Sequence, residues 1–275
     1  MQVRVLGVGN AFTSRYYNTS FLIESHRLFL VDCPPGLLRL FRERGIKPAS
    51  IDDVIVTHVH GDHVAGLETL LLWKKYVEKK RIRVWTSSAV HRELRDKFFP
   101  SFADTFTSDL QRIVTTGLAD YADVRELLPD VENRLDEDLA LEYRENWHPT
   151  PTLGLKFTSG RGALGISGDT CYRPSLLQSL LEKGLVDRAR YDKLAGDWLW
   201  RCDLIYHEVE RADAGPHTSE KDLLALPADV RRKIRLIHLS DDFVERELPA
   251  AREGELAVFE PSGKVSLSFP SSGGS

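Results

Sequence analysis

Three imidazoles and a carboxylate, His58, His60, Asp62 and His63, fall within six positions. They follow directly on the β-branched run Val54 to Val56 and precede a helical pattern of Leu67, Leu70 and Leu71. Protonated rings packed this closely would repel one another, and neutral ones would keep unpaired nitrogens, so the group calls for a cation such as Zn²⁺. Two apart on an extended strand end, His58 and His60 point the same way toward one ion. Asp62 and His63, at the start of the helix, turn toward a second position. A polar turn with solvated histidines is the bland alternative, and it leaves the density of ligand types unexplained.

Such a cluster must be held by rigid elements. Val3 to Leu6 reads as a first strand that turns at Gly7 and Gly9 into a polar loop, Ala11 to Ser20. The hydroxyls of that loop together with Arg15 suit a phosphate, or the loop is simply a turn. Phe21 to Ile23 and Leu28 to Val31 form a strand pair turning at Ser25 to Arg27. A helix over Leu37 to Arg44 stops at Gly45. After His63 the pattern predicts one helix reaching Lys80, its basic end complementing the dipole, and Arg83 to Trp85 is a further strand. Residues 87–138 carry no ligand-like spacing, and His91 reads as an exposed or structural residue.

The chain has 275 residues, of which 42% are hydrophobic, enough for a sizeable core. No Pro/Gly/Ser-rich linker or fixed-period repeat interrupts it, which predicts one domain over 1–269 and a flexible tail over 270–275. No secretory pattern is visible, and the apolar runs fall far short of the roughly 20 residues of a membrane span. Three widely spaced cysteines, Cys33, Cys171 and Cys202, suit reduced thiols. A soluble cytoplasmic protein without membrane contact is the expectation. With a net charge of -4, phosphate recognition should be local, and a long nucleic acid is a poor candidate for substrate.

The string His58-Val-His60-Gly-Asp62-His63 resembles the signature of the metallo-β-lactamase superfamily. That resemblance implies an α/β fold, the αβ/βα sandwich of two mixed β-sheets flanked by helices, holding two divalent metal ions, Zn with Mn or Fe as alternatives. It implies that Asp32, at the end of its strand, orients the metal-binding loop without touching metal, a role compatible with simply capping the helix from Leu37. His148, presented from the corner between the strand Leu139 to Tyr143 and the strand Leu155 to Phe157, resembles the His motif of the ribonuclease Z-like branch. Asp169, in a Gly-Asp turn after Ala163 to Ser167, looks like the bridging carboxylate. His238, after Ile234 to Ile237, looks like the final ligand. The ligand set implied is His58, His60 and His148 on one ion and Asp62, His63 and His238 on the other, with Asp169 between them.

A metal pair of this kind serves esters, lactams, thioesters and phosphodiesters alike. The segment Asp203 to Glu210 followed by His217 and Thr218 resembles the phosphodiesterase branch. Carried over, a metal-bridging hydroxide attacks phosphorus, Asp62 takes part as ligand, His217 assists the leaving oxygen and Glu208 orients and charges His217. Two plainer readings stand beside this: Thr218 begins a helix with His217 just outside it, and His207 is a satisfied core residue. Only a short stretch separates His148 from Asp169, which leaves no room for the arm with which ribonuclease Z grips transfer RNA. An insertion lies instead over 172–200, with a helix from Pro174 to Leu185. The expected substrate is therefore a small, cyclic or nucleotide-type phosphodiester. A thioester, ester or lactone hydrolase of the glyoxalase II or lactonase type is the runner-up, and a non-enzymatic protein stabilised by its metals is the third reading. Relatives of this kind are commonly homodimers.

Overall fold

The computed structural model describes residues 1–211 and 215–269, so the tail expected from Pro270 lies outside the described residues. Two mixed sheets carry the architecture. The larger has eight strands in the order Val265–Ser268, Leu256–Phe259, Gln2–Gly7, Ser20–Glu24, Leu28–Val31, Asp53–Ile55, Ile82–Ser87 and Ala122–Leu127. The second has six, in the order Ile234–Ile237, Leu204–Glu208, Gly162–Ile166, Leu153–Ser159, Ala140–Glu145 and Asn133–Arg134. Both contribute to one continuous hydrophobic cluster, with Ile23, Phe29 and Ile55 from the first and Phe157, Ile205 and Leu236 from the second. The rings of Phe21 and Tyr206 meet across the two layers at 5.0 Å.

Parallel pairing is what gathers the chemistry at one edge. Leu28–Val31 and Asp53–Ile55 are parallel neighbours, so their carboxyl ends are level, and the chain leaves them into Asp32 and into Thr57 and His58. In the second sheet Gly162–Ile166, Leu204–Glu208 and Ile234–Ile237 are likewise parallel, and their carboxyl ends deliver Asp169, Glu208 and His238. Strands that run the same way must present their ends together. The opposite end of the central strand is fixed by Asp53, a fully buried carboxylate that accepts from the Arg83 guanidinium through both oxygens at 2.7 Å and from the Trp85 indole at 2.8 Å.

The helix after the histidine string, Gly61–Leu72, buries Val64, Leu67, Leu70 and Leu71. It approaches the preceding loop so closely that a Cβ at Gly66 would lie 2.2 Å from the Pro34 carbonyl oxygen. The expected run to Lys80 is not one α-helix: beyond Leu72 the chain widens into a π-helical turn, Trp73–Val77. There the buried ammonium of Lys74 reaches Asp52 at 3.1 Å and Glu78 at 3.0 Å. The stretch 87–138, silent in the sequence, supplies the edge strand Ala122–Leu127 and an isolated hairpin of Asp104–Phe106 with Ile113–Thr115. In the insertion the helix Pro174–Glu182 is shorter than expected, and a second helix, Arg188–Leu194, packs with it over a small cluster of Leu177, Leu180 and Val186.

Candidate active site

Asp32 organises the histidine string from behind. It is buried and sits at φ 62°, a left-handed conformation that costs a non-glycine residue of order 1–3 kcal/mol. One carboxylate oxygen accepts from the Thr57 backbone N–H at 2.8 Å, and the other accepts from the Thr57 hydroxyl at 2.7 Å and faces His63 Nδ1 at 2.8 Å. With the Thr57 proton given to Asp32, the Thr57 oxygen, 3.0 Å from His58 Nδ1, accepts from that ring. Both imidazoles are thereby fixed with Nδ1 protonated, and the lone pair of each Nε2 points into the cluster. Asp32 does not cap the following helix: its N-cap is Gly36, with no side-chain cap.

The ligand-type atoms converge in two groups that share Asp169. One holds His58, His60, His148 and Asp169, the other Asp62, His63, Asp169 and His238, each with its atoms within 4.8 Å of one another. The spacings are those of a coordination shell. His148 Nε2 lies 3.2 Å from His60 Nδ1, and His63 Nε2 lies 3.3 Å from both Asp62 Oδ2 and Asp169 Oδ1. His238 Nε2 is 3.4 Å from Asp62 and 3.5 Å from Asp169, while His58 Nε2 is 3.6 Å from Asp169. Ligands about 2.0–2.1 Å from a tetrahedral ion stand about 3.3 Å from each other. His58 Nε2, His63 Nε2, His238 Nε2 and Asp62 Oδ2 are buried with no hydrogen-bond partner. Left so, each would cost about 1–3 kcal/mol, and a divalent cation in each group satisfies them together. The donor set therefore fits a metal pair.

Burial opposes charge on His63, but Asp169, Asp32 and Asp62 outweigh it and raise its pKa well above the usual imidazole range, so a cation there displaces a proton; His58, His148 and Asp169 are already in ligand form. Burial and the neighbouring His63 push His58 well below the usual imidazole range, and burial with the adjacent rings brings His148 down to about 4. Burial opposes charge on Asp169, but His238 and His63 outweigh it and hold its pKa well below that of an ordinary carboxylate. Deprotonated nitrogens and ionised carboxylates are the forms that bind cations. His238 itself stands at φ 61°, and Gly168 at φ 59° makes the turn that presents Asp169, where a Cβ would lie 2.3 Å from the Leu153 carbonyl oxygen.

Beside the cluster stands a second constellation. His217 Nδ1 lies 3.1 Å from Oε2 of the buried Glu208, off the line of a good hydrogen bond but in ion-pair range. The other Glu208 oxygen accepts from the Thr218 backbone N–H at 2.8 Å. Burial works against charge on His217, but Glu208 outweighs it, with Asp169 and Glu210 adding to the effect, and its pKa is raised to about 9. The His217 ring sits 4.6 Å from that of His238 and 5.7 Å from that of His148. Thr218 does not start the next helix: Ser219 caps Glu220–Leu224, while the Thr218 hydroxyl donates to the Thr170 carbonyl at 3.0 Å and accepts from the Tyr172 N–H at 3.0 Å. The Arg173 guanidinium donates to the His217 carbonyl at 3.0 and 3.2 Å, so the beginning of the insertion holds the loop in place. His207 is a core residue, stacked on Trp200 at 5.4 Å with Nδ1 donating to the Glu208 carbonyl.

A cavity of about 230 Å³ opens on the exposed side of His217 and His238. Asn10, Phe12, Glu210, Arg211, Ser240 and Phe243 help to line it. Arg15 is not among its lining residues: its backbone N–H donates to Asp241 at 3.0 Å and its guanidinium lies over Tyr16. Arg211, which sequence reasoning passed over, is the arginine of the cavity wall. Its one sequence signal is position, directly after the strand segment that carries Glu208.

A family model described as Anti-Pycsar protein Apyc1 matches residues 1–261. The chain belongs to that family. Apyc1 proteins similar to it include those of Paenibacillus xerothermodurans, 28% identical over 88% of this chain and 89% of that protein, and Saccharibacillus brassicae, 28% identical over 94% and 97%. A cAMP/cGMP-dependent 3′,5′-cAMP/cGMP phosphodiesterase B of Dictyostelium discoideum is 25% identical over 92% of this chain but only 22% of its own length. Among solved structures, the metallo-β-lactamase fold protein YhfI of Bacillus subtilis aligns with a TM-score of 0.65 at 17% identity, covering 93% of this chain and 98% of that one. Human tRNase Z, short form, aligns at 0.64 and 20% identity, over 94% and 100%. This Apyc1-family chain therefore has the metallo-β-lactamase fold, with the two mixed sheets that the resemblance of the histidine string implied.

Proposed function

We propose that this chain is a metal-dependent phosphodiesterase whose substrate is a nucleoside 3′,5′-cyclic monophosphate. The observation that carries the reading is His217, kept protonated by a buried Glu208 at the edge of the metal cluster and open to the cavity. A proton held ready there serves a poor leaving group such as an alkoxide; a thiolate leaves without one. The printed activity of the Dictyostelium relative supports the cyclic class of diester.

His58, His60 and His148 would hold one divalent cation and Asp62, His63 and His238 the other, with Asp169 shared. Bound there, the cations supply Lewis-acid stabilisation of phosphoryl charge and acidify water at neutral pH. The chain's own contribution is positional. Asp32 and Thr57 fix the tautomers of His63 and His58, and Glu208 holds the Nδ1 side of His217, so that Nε2 carries the transferable proton. Water adds to phosphorus and gives up a proton to solvent, the ester bond to the ribose oxygen breaks, and the His217 proton goes to that oxygen, giving a nucleoside monophosphate, after which His217 regains a proton from solvent. The continuous core supports reading 1–269 as one domain, and the buried free thiols of Cys33, Cys171 and Cys202 suit a reducing cytoplasm. Among the described residues no helix is long and apolar enough to cross a membrane.

The test is turnover of 3′,5′-cAMP and 3′,5′-cGMP against a thioester and a lactone, with protein reconstituted separately in Zn²⁺ and Mn²⁺. Cleavage of the cyclic diesters that depends on His217 is expected. Thioester or lactone turnover without diester cleavage would replace this reading with the glyoxalase II or lactonase type.

A further inference from the structure

Phe12 is the most solvent-exposed large apolar side chain among the described residues, at 92%. Exposure of this kind usually marks a frayed loop, but here the backbone around the ring is pinned. The Phe12 N–H donates to Asn10 Oδ1 at 3.0 Å, and the Asn10 N–H donates to the Leu239 carbonyl at 3.0 Å. Asp241 accepts from the Thr13 hydroxyl at 2.5 Å and from the backbone N–H groups of Ser14 and Arg15 at 2.9 and 3.0 Å. The loop is thus tied on both sides of Phe12 to the segment that follows His238. A bare aromatic ring on a backbone held by this many hydrogen bonds starts from a fixed position on the surface and offers an apolar face.

Phe12 lines the same cavity as His217 and His238, and a second aromatic, Phe243, lines it too, with the Arg211 guanidinium over its ring at 5.8 Å. One cavity lining therefore holds His217 and His238 together with two phenylalanine side chains. Its volume, about 230 Å³, lies below the roughly 300 Å³ at which drug-sized pockets begin and suits one compact ligand. We infer that Phe12 and Phe243 form a base-stacking subsite, with the cyclic phosphate of the substrate directed to His217 and the nucleobase lying against the aromatic rings. This rests on the phosphodiesterase reading and deepens it, because it makes the base, and not only the phosphodiester, part of what the enzyme recognises.

The subsite separates two substrates that differ only in the base. Phe12→Ala and Phe243→Ala should each lower kcat/KM for 3′,5′-cAMP relative to a base-free 3′,5′-cyclic ribose phosphate by about tenfold, within the range that stacking of one base on an aromatic side chain supports. The loss should fall mainly on KM, and Phe12→Trp should restore the ratio. Because the Phe12 side chain is exposed, its replacement leaves the core intact, and an unchanged melting temperature verifies folding. Equal losses on both substrates, or an unmoved ratio, would overturn the base subsite while leaving the phosphodiesterase standing. A wild-type protein that cleaves neither cyclic diester would overturn the phosphodiesterase reading and the subsite with it.

Discussion

Replacing Glu208 by Gln keeps the shape of the side chain and its hydrogen bond from Thr218, and removes only the negative charge 3.1 Å from His217 Nδ1. With the pKa of His217 raised to about 9, the ring is protonated in about nine molecules of ten at pH 8. Returned to about 6.5, it would be protonated in about 3%, so kcat on a cyclic nucleotide should fall about 30-fold at pH 8 but less than about twofold at pH 6. Bound cations pull both values down, but the gap between wild type and variant remains, so the penalty must still grow with pH. The stability sign follows from the same shift. The folded pKa is the higher one, so the contribution of the pair is fully present below about pH 6.5 and is lost as pH rises through about 9. The assay is a pH profile of kcat from 5.5 to about 9.5 for both proteins, with metal content measured in parallel. A loss of the same size at pH 6 and pH 8 with full metal content would refute the argument, since it would show that Glu208 acts through structure and not through charge.

Asp32→Ala should weaken metal affinity by about 10–100-fold, the usual cost of removing a partner that orients a ligand histidine, and competition with a chromophoric chelator measures it. Two divalent ions per chain are expected by elemental analysis, and Asp169→Ala should lower that number, since its carboxylate belongs to both groups. Stripping the metals from the loaded protein should lower the melting temperature as well as activity, because the buried imidazole nitrogens have no hydrogen-bond partner of their own. In the insertion, Leu177→Ala empties a fully buried position and should cost about 2–5 kcal/mol of that segment's local stability, seen as faster hydrogen exchange over Pro174–Glu182.

Legibility in the sequence followed locality. His58, His60, Asp62 and His63 announce themselves because one strand end and one helix start bring them together within a single turn of chain. His148, Asp169 and His238 are each a lone residue in an unremarkable turn, and only a family resemblance could join them, since their convergence depends on parallel register in a sheet that the sequence does not print. The larger sheet was legible where strands alternate with helices, and illegible over 87–138, where the edge strand Ala122–Leu127 is half exposed and has no continuous apolar run. The cavity mouth was out of reach for a different reason. Arg15 looked like the anion-binding group because it sits among hydroxyls, whereas those hydroxyls serve Asp241, and Phe12, Arg211 and Phe243 meet only through tertiary contacts.

The larger sheet is closed by the two ends of the described chain: Gln2–Gly7 lies between Ser20–Glu24 and Leu256–Phe259. During synthesis the first strand and the histidine string emerge well before Leu256–Phe259, which pairs with the first strand, and before His238, which belongs to the second ligand group. Until both have been made, the first strand keeps an unpaired edge and the second ligand group lacks a member. The order in which the sheet edge and the ligand group are completed is thus set by chain connectivity, and a circular permutant of the described residues would change it.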